Sequence, residues 1–326
     1  LATIAEIEEQ VIAIRGLDAA DIGAPDLITR AELADELVRL FDEQYPAEER
    51  ERDNRTLRAF GLLEPDEDIA ELQLRLLGDQ VLGFYDTIED RMVVVTDAGL
   101  DAAAKLTYAH EYTHALQDAA FSPEHFTADG LDDDDRQLAM TSLTEGDATV
   151  AMLAWAFAHL TQEELLEIGT GTELPDTTGI PSWMVNQLQF PYSAGQVWIG
   201  GLAGDPLAPD FAEVDAVYDD PPDTTEQVMH PATRWIGARR DQPTRLTLAP
   251  PGGDWRIVQM VKSRGGWIDM PDVMRQAEAG GIEGGLLQDP PHHPHQVRLT
   301  ERTTATDDPA PSLHPHYRRF SATTSK

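Results

Sequence analysis

His110-Glu111-Tyr112-Thr113-His114 is the stretch that decides how this chain is read. It sits in a segment, Asp101 to Ala119, whose small and apolar residues Leu106, Ala109, Ala115 and Leu116 fit a packed helix. Residues four apart lie on one helix face. The two imidazoles can therefore aim at one point, as two ligands of a tetrahedral zinc ion must. Glu111 follows the first histidine directly, which sets a carboxylate beside an open metal position where it can take a proton from bound water. The competing reading is a surface helix carrying two unrelated histidines. Only five histidines precede residue 251 and two of them fall in this pentapeptide, which favours the metal.

A zinc site of this kind needs a third protein ligand. The chain has no cysteine, so that ligand must be His, Asp or Glu, and disulfides and thiol catalysis are excluded. Glu145, in Leu143-Thr144-Glu145-Gly146-Asp147-Ala148, is the best candidate. It falls in Arg136–Leu160, a long and mostly apolar helical stretch. A carboxylate buried there is costly unless it meets a metal or a charge partner. Asp147 shares the segment. It is an alternative ligand, a hydrogen-bond partner of a ligand histidine, or a helix-surface carboxylate, and the second role is preferred.

Working outward, Ile4, Ile7, Val11 and Ile14 recur at helical spacing. Thr29-Arg30-Ala31-Glu32 is a capping box that opens a helix with Leu33, Leu37, Leu40 and Phe41 on one face, closed by Pro46. Asp66–Leu77 repeats the pattern, and Gly78 ends it. The period then changes. Val81–Tyr85 and Met92–Val95 are short apolar runs around a polar Asp86–Arg91 and predict a β-hairpin. Thr161-Gln162-Glu163-Glu164 is another capping box. After Gly169 the chain reads as loop-rich, with helical pieces near Ser182–Gln189 and Asp210–Tyr218 and punctuation at Pro221 and Pro222. The acidic run Asp132–Asp135 reads as a solvated helix N-terminus; it lacks the pattern of a calcium loop.

The net charge of −35 lies entirely in residues 1–250, since residues 251–326 hold equal numbers of basic and acidic side chains. Such a surface repels nucleic acid and anionic lipid, which excludes both as partners. No apolar run approaches the length of a membrane span. The chain opens on Leu1, which leaves room for an upstream export or anchoring segment and hence for an extracellular or envelope location. From about residue 255 periodicity is lost. His292, His293, His295, His314 and His316 sit among prolines and polar residues, a pattern that reads as an irregular segment rather than a metal-collecting tract.

The strings His110–Asp118 (HEYTHALQD) and Leu143–Thr149 (LTEGDAT) resemble the gluzincin group of zinc metallopeptidases, whose best-known members are thermolysin-like. They look like a poorly characterised bacterial and archaeal branch in which GFYD, here Gly83–Asp86, precedes the metal helix and TEQVMHP, here Thr225–Pro231, follows it. The likeness covers roughly residues 5–245. It implies zinc held by His110, His114 and Glu145, with Glu111 as the base. It departs from the thermolysin-like pattern at Thr149, where an aspartate is expected, leaving Asp147 or Asp118 to orient a ligand. It also makes Met92–Val95 a candidate strand for pairing with an extended substrate. Amide hydrolysis further needs an oxyanion donor besides the metal. His230 is the first candidate and Tyr192 the second.

The expectation is an α+β, mainly helical, zincin-like domain over residues 1–254, with a small antiparallel sheet beside the metal helix and an irregular tail over 255–326. Its expected activity is zinc-dependent hydrolysis of a peptide or protein substrate. The rivals are a catalytically inactive zincin-fold protein serving a structural or partner-binding role, and an acidic helical interaction protein with a chance motif.

Overall fold

Thr29 opens its helix as the sequence predicts: its hydroxyl accepts from the Glu32 amide, and the Glu32 carboxylate accepts from the Thr29 amide. The computed structural model describes residues 2–87, 89–96, 99–123, 134–171, 176–235, 240, 255–263, 295–302 and 320–324. Four helices come first: α1 (Ala2–Arg15), α2 (Arg30–Gln44), α3 (Ala47–Ala59) and α4 (Ile69–Gln80). Asp68 caps α4 through the amides of Ala70 and Glu71. The predicted hairpin forms as β2 (Val81–Asp86) and β3 (Arg91–Val95). The metal-motif helix is α5 (Ala102–Phe121), capped by Asp101.

The sheet is mixed rather than antiparallel. A three-residue strand, β1 (Asp26–Ile28), pairs parallel to β3, while β2 pairs antiparallel to β3. Three residues carry too little pattern to announce a strand. Their pairing has a consequence: β3 lies between β1 and β2, with Val93, Val94 and Val95 matched to Asp26, Leu27 and Ile28. Both edges of Val93 and Val94 are thus occupied, so the expectation that Met92–Val95 receives an extended substrate is corrected. A substrate strand needs an unpaired edge.

GFYD acquires a packing reason. Gly83 sits where β2 meets both β3 and α5: a Cβ there would fall 2.7 Å from the Val93 carbonyl oxygen and 2.8 Å from the Thr107 methyl. This lets α5 lie close on the sheet. Ile4, Ile7 and Val11 of α1 join Tyr85, Met92, Tyr108, Tyr112 and Leu116 in one core.

After α5 come α6 (Asp134–His159) and α7 (Gln162–Gly171), then α8 (Ser182–Ala203). The loop-rich expectation after Gly169 fails at α8, which runs on through Pro191. An interior proline forfeits a backbone hydrogen bond and usually ends a helix. Here burial outweighs it. Phe190, Trp198, Ile199 and Ala203 pack against Met140, Leu143, Val150 and Ala151 of α6. The helices touch backbone to backbone, since a Cβ on Gly146 would lie 2.5 Å from the Gly195 carbonyl.

Two short helices follow, α9 (Ala212–Asp219) and α10 (Thr225–Met229), then a π-turn at Pro231–Trp235. Asp135 is buried and accepts from the Thr225 amide and hydroxyl. It docks α10 onto α6 and is not the solvated helix end expected of it; Asp132 and Asp133 lie outside the described residues.

Within residues 255–326 the described pieces are strands. β4 (Trp255–Ser263) pairs antiparallel with β5 (His295–Arg302), and β6 (Phe320–Thr324) pairs with the free side of β2. Of the histidines noted there, only His295 lies in a described stretch; His292, His293, His314 and His316 lie outside it. Among the described residues no helix is long and apolar enough to cross a membrane.

Candidate metal centre

Two buried helices build the site. α5 presents His110 and His114 on one face, and α6 crosses it with Glu145. The ligating atoms form a small triangle. His110 Nε2 is 3.1 Å from Glu145 Oε2, His114 Nε2 is 3.3 Å from the same oxygen, and the two Nε2 atoms are 3.0 Å apart. All three residues are buried, and the group could hold a metal ion. The predicted convergence of His110, His114 and Glu145 is therefore present, although the residues are 35 positions apart between helix and helix.

The electrostatics of the metal-free cluster follow from its closeness. Burial alone would lower the His114 pKa, but the Glu145 carboxylate, aided by the Glu111 charge and the Gln117 hydrogen bond, pushes it up to about 9. Burial would raise Glu145, yet the two imidazoles hold it well below the usual carboxylate range.

The two imidazoles are supported unequally. His114 Nδ1 lies 2.8 Å from Gln117 Oε1. The Gln117 amide nitrogen donates at 3.0 Å to the Thr144 carbonyl and at 3.0 Å to Asp147 Oδ2. Asp147 also accepts from Tyr218 at 2.8 Å and from Arg15, whose Nε and Nη2 reach its two oxygens at 2.8 and 3.0 Å. Arg15 continues to Asp215 at 2.6 Å and lies 4.5 Å from the Phe211 ring centroid. His110 Nδ1, by contrast, is buried without a hydrogen-bond partner among the described residues.

The sequence reading preferred a direct hydrogen bond from Asp147 to a histidine; instead Asp147 accepts from Gln117, whose other end meets His114. Asp118, the other candidate, instead accepts from Tyr85. Thr149, at the departure from the thermolysin-like pattern, is buried, and its hydroxyl has no hydrogen-bond partner among the described residues. Sequence reasoning passed over Gln117 and Arg15. Gln117 was findable: it lies three residues after His114, on the same helix face.

The remaining candidates separate. Glu111 is fully buried in the helix turn that carries His110. Tyr192 of α8 is buried, with its ring centroid 6.2 Å from that of His110. His230 is exposed at the C-terminal end of α10 and is not part of the buried group.

In comparisons with family models, curated proteins and solved structures, the chain matched none.

Proposed function

We propose that this protein is a zinc-dependent hydrolase, of the metallopeptidase type, that cleaves peptide bonds in a peptide or protein substrate. The observation that carries the reading is the triangle of two imidazole nitrogens and one carboxylate oxygen, with edges of 3.0–3.3 Å, beside Glu111. Nitrogen and oxygen atoms this close together could all bind one zinc ion. Two imidazoles and one carboxylate make an open zinc set that leaves a fourth position. When bound, zinc polarises the scissile carbonyl and makes water acidic near neutral pH.

The chain's own residues do the rest. His110, His114 and Glu145 bind the ion. Glu111 takes the proton of the attacking water and returns it to the leaving amine, a role its carboxylate can fill from the same helix turn. Tyr192, through its hydroxyl, steadies the negative charge on the carbonyl oxygen; its position beside His110 favours it over His230. Tyr192→Phe is expected to lower turnover by about 10²–10³ with little change in substrate binding. His230→Ala should stay within a few-fold of wild type, and a larger loss there would return the role to His230.

A second reading draws on the same burial. His110, Glu111, His114 and Glu145 are at most 4% exposed, as expected of a zinc that only braces the fold in an inactive relative. The experiment is metal analysis of the purified protein paired with a generic peptide-cleavage assay. One zinc per chain with cleavage supports the hydrolase. Zinc without cleavage supports the structural reading, and no metal ends both.

Zinc uptake should also release a proton. Glu145 pushes the His114 pKa up to about 9, so the ring is expected to carry a proton at pH 7 in the metal-free protein, and zinc takes the neutral ring. The proton is bound without metal and lost with it. Zinc affinity should therefore weaken as pH falls below about 9, by about tenfold per pH unit while one proton competes. Calorimetry in buffers of different ionisation enthalpy should count about one proton released at pH 7. A count of zero would show His114 neutral in the metal-free protein.

A further inference from the structure

The tautomer of His114 can be read from the bonds around Gln117. An amide side chain has one accepting and one donating end. The Gln117 nitrogen faces the Thr144 carbonyl and the Asp147 carboxylate, both of which only accept, so it must be the donating end. The end facing His114 is then the oxygen, and an oxygen 2.8 Å from Nδ1 requires an N–H there. With the proton fixed on Nδ1, the neutral ring keeps its lone pair on Nε2, the atom that faces His110 and Glu145.

We propose that Gln117 is a positioning residue that holds His114 in the Nδ1–H tautomer and aims its Nε2 at the metal position. It is held in turn by Asp147 and, through Asp147, by Arg15. This rests on the metal-centre reading above and deepens it. The device differs from a carboxylate placed directly on the ligand ring. A neutral amide stands between, so His114 is oriented without a full negative charge on its Nδ1. The carboxylate one step further out is neutralised by Arg15, whose side chain, like that of Asp147, is completely buried. His110 Nδ1 has no matching partner among the described residues, so of the two rings only His114 is held in this way.

Two variants separate this role from a packing role. Gln117→Met keeps the length of the side chain and removes the acceptor. Gln117→Glu keeps an acceptor for Nδ1 and removes the donors to Thr144 and Asp147. Affinity should follow the acceptor and stability the donors. Zinc and cobalt(II) affinity, measured by chelator competition, should weaken by about 10–100-fold in Gln117→Met, the usual cost of losing such a partner. In Gln117→Glu it should stay within a few-fold of wild type while the unfolding midpoint falls.

In protein carrying ¹⁵N-labelled histidine, the solvent-protected Nδ1–H proton of His114 should be seen in wild type and Gln117→Glu. It should be lost in Gln117→Met. A Gln117→Met protein that keeps wild-type zinc affinity overturns the role while leaving the metal centre standing. So does one that keeps the protected Nδ1–H signal. Parallel loss of affinity in both variants would assign Gln117 to packing. A wild-type protein that takes up neither zinc nor cobalt overturns the metal-centre reading, and this role with it.

Discussion

Glu111→Gln is expected to keep zinc affinity close to wild type while peptide hydrolysis falls by about 10²–10⁴. The substitution is nearly isosteric, so the packing around a side chain with no exposed surface should survive. What it removes is basicity. An amide cannot take the proton of the attacking water, nor return it to the leaving amine. Glu111 is not among the three converging ligand residues, so the metal should stay. Zinc content, chelator competition and initial rates on one peptide substrate together check this. Unchanged rates would mean that another group is the base and that Glu111 is there for structure. Loss of the metal along with activity would make Glu111 part of the binding set, and the division of labour proposed above would have to be redrawn.

Arg15→Leu should destabilise the fold by about 3–5 kcal/mol, the usual cost of breaking a buried ion pair from one side. Both side chains of the Arg15–Asp147 pair are completely excluded from solvent. Leucine would leave the Asp147 carboxylate with only Tyr218 and Gln117 as donors among the described residues. The loss is a large part of the roughly 5–15 kcal/mol that holds a domain together. Denaturant unfolding of the metal-free proteins measures it. Because the uncompensated charge is the source of the cost, Arg15→Leu with Asp147→Leu should recover part of the loss, apolar pairs of similar volume being well tolerated. A single variant within about 1 kcal/mol of wild type would show that water reaches Asp147 readily. Arg15 ties α1 to α6 and α9, so the same change should loosen the support of Gln117 as well.

Local rules carried far along this chain. The Thr29 box, the Asp101-led helix and the hairpin of Val81–Asp86 and Arg91–Val95 are set by neighbours in sequence, through caps and periodicity, and each forms where the pattern puts it. The i, i+4 pair His110 and His114 needs only its own helix to face one way. Glu145 was legible for another reason: an apolar helix tolerates a carboxylate only where something repays its burial. These residues were determined by the sequence itself.

Other features depend on what packs against what. Asp26–Ile28 is a strand because β3 offers it an edge, not because three residues prefer one. α8 runs through Pro191 because Gly146 and Gly195 let it lie against α6, where burial outweighs a lost backbone hydrogen bond. Tyr192 rather than His230 stands beside His110 for the same reason, since it rides on that helix while His230 is exposed at the end of α10. Arg15 and Asp147 are 132 residues apart, and no local pattern links them. Caps and helical faces are settled within a few residues, where the chain has few arrangements to choose from. Which distant groups share one buried point is settled only when the whole core closes and each buried charge must find its partner.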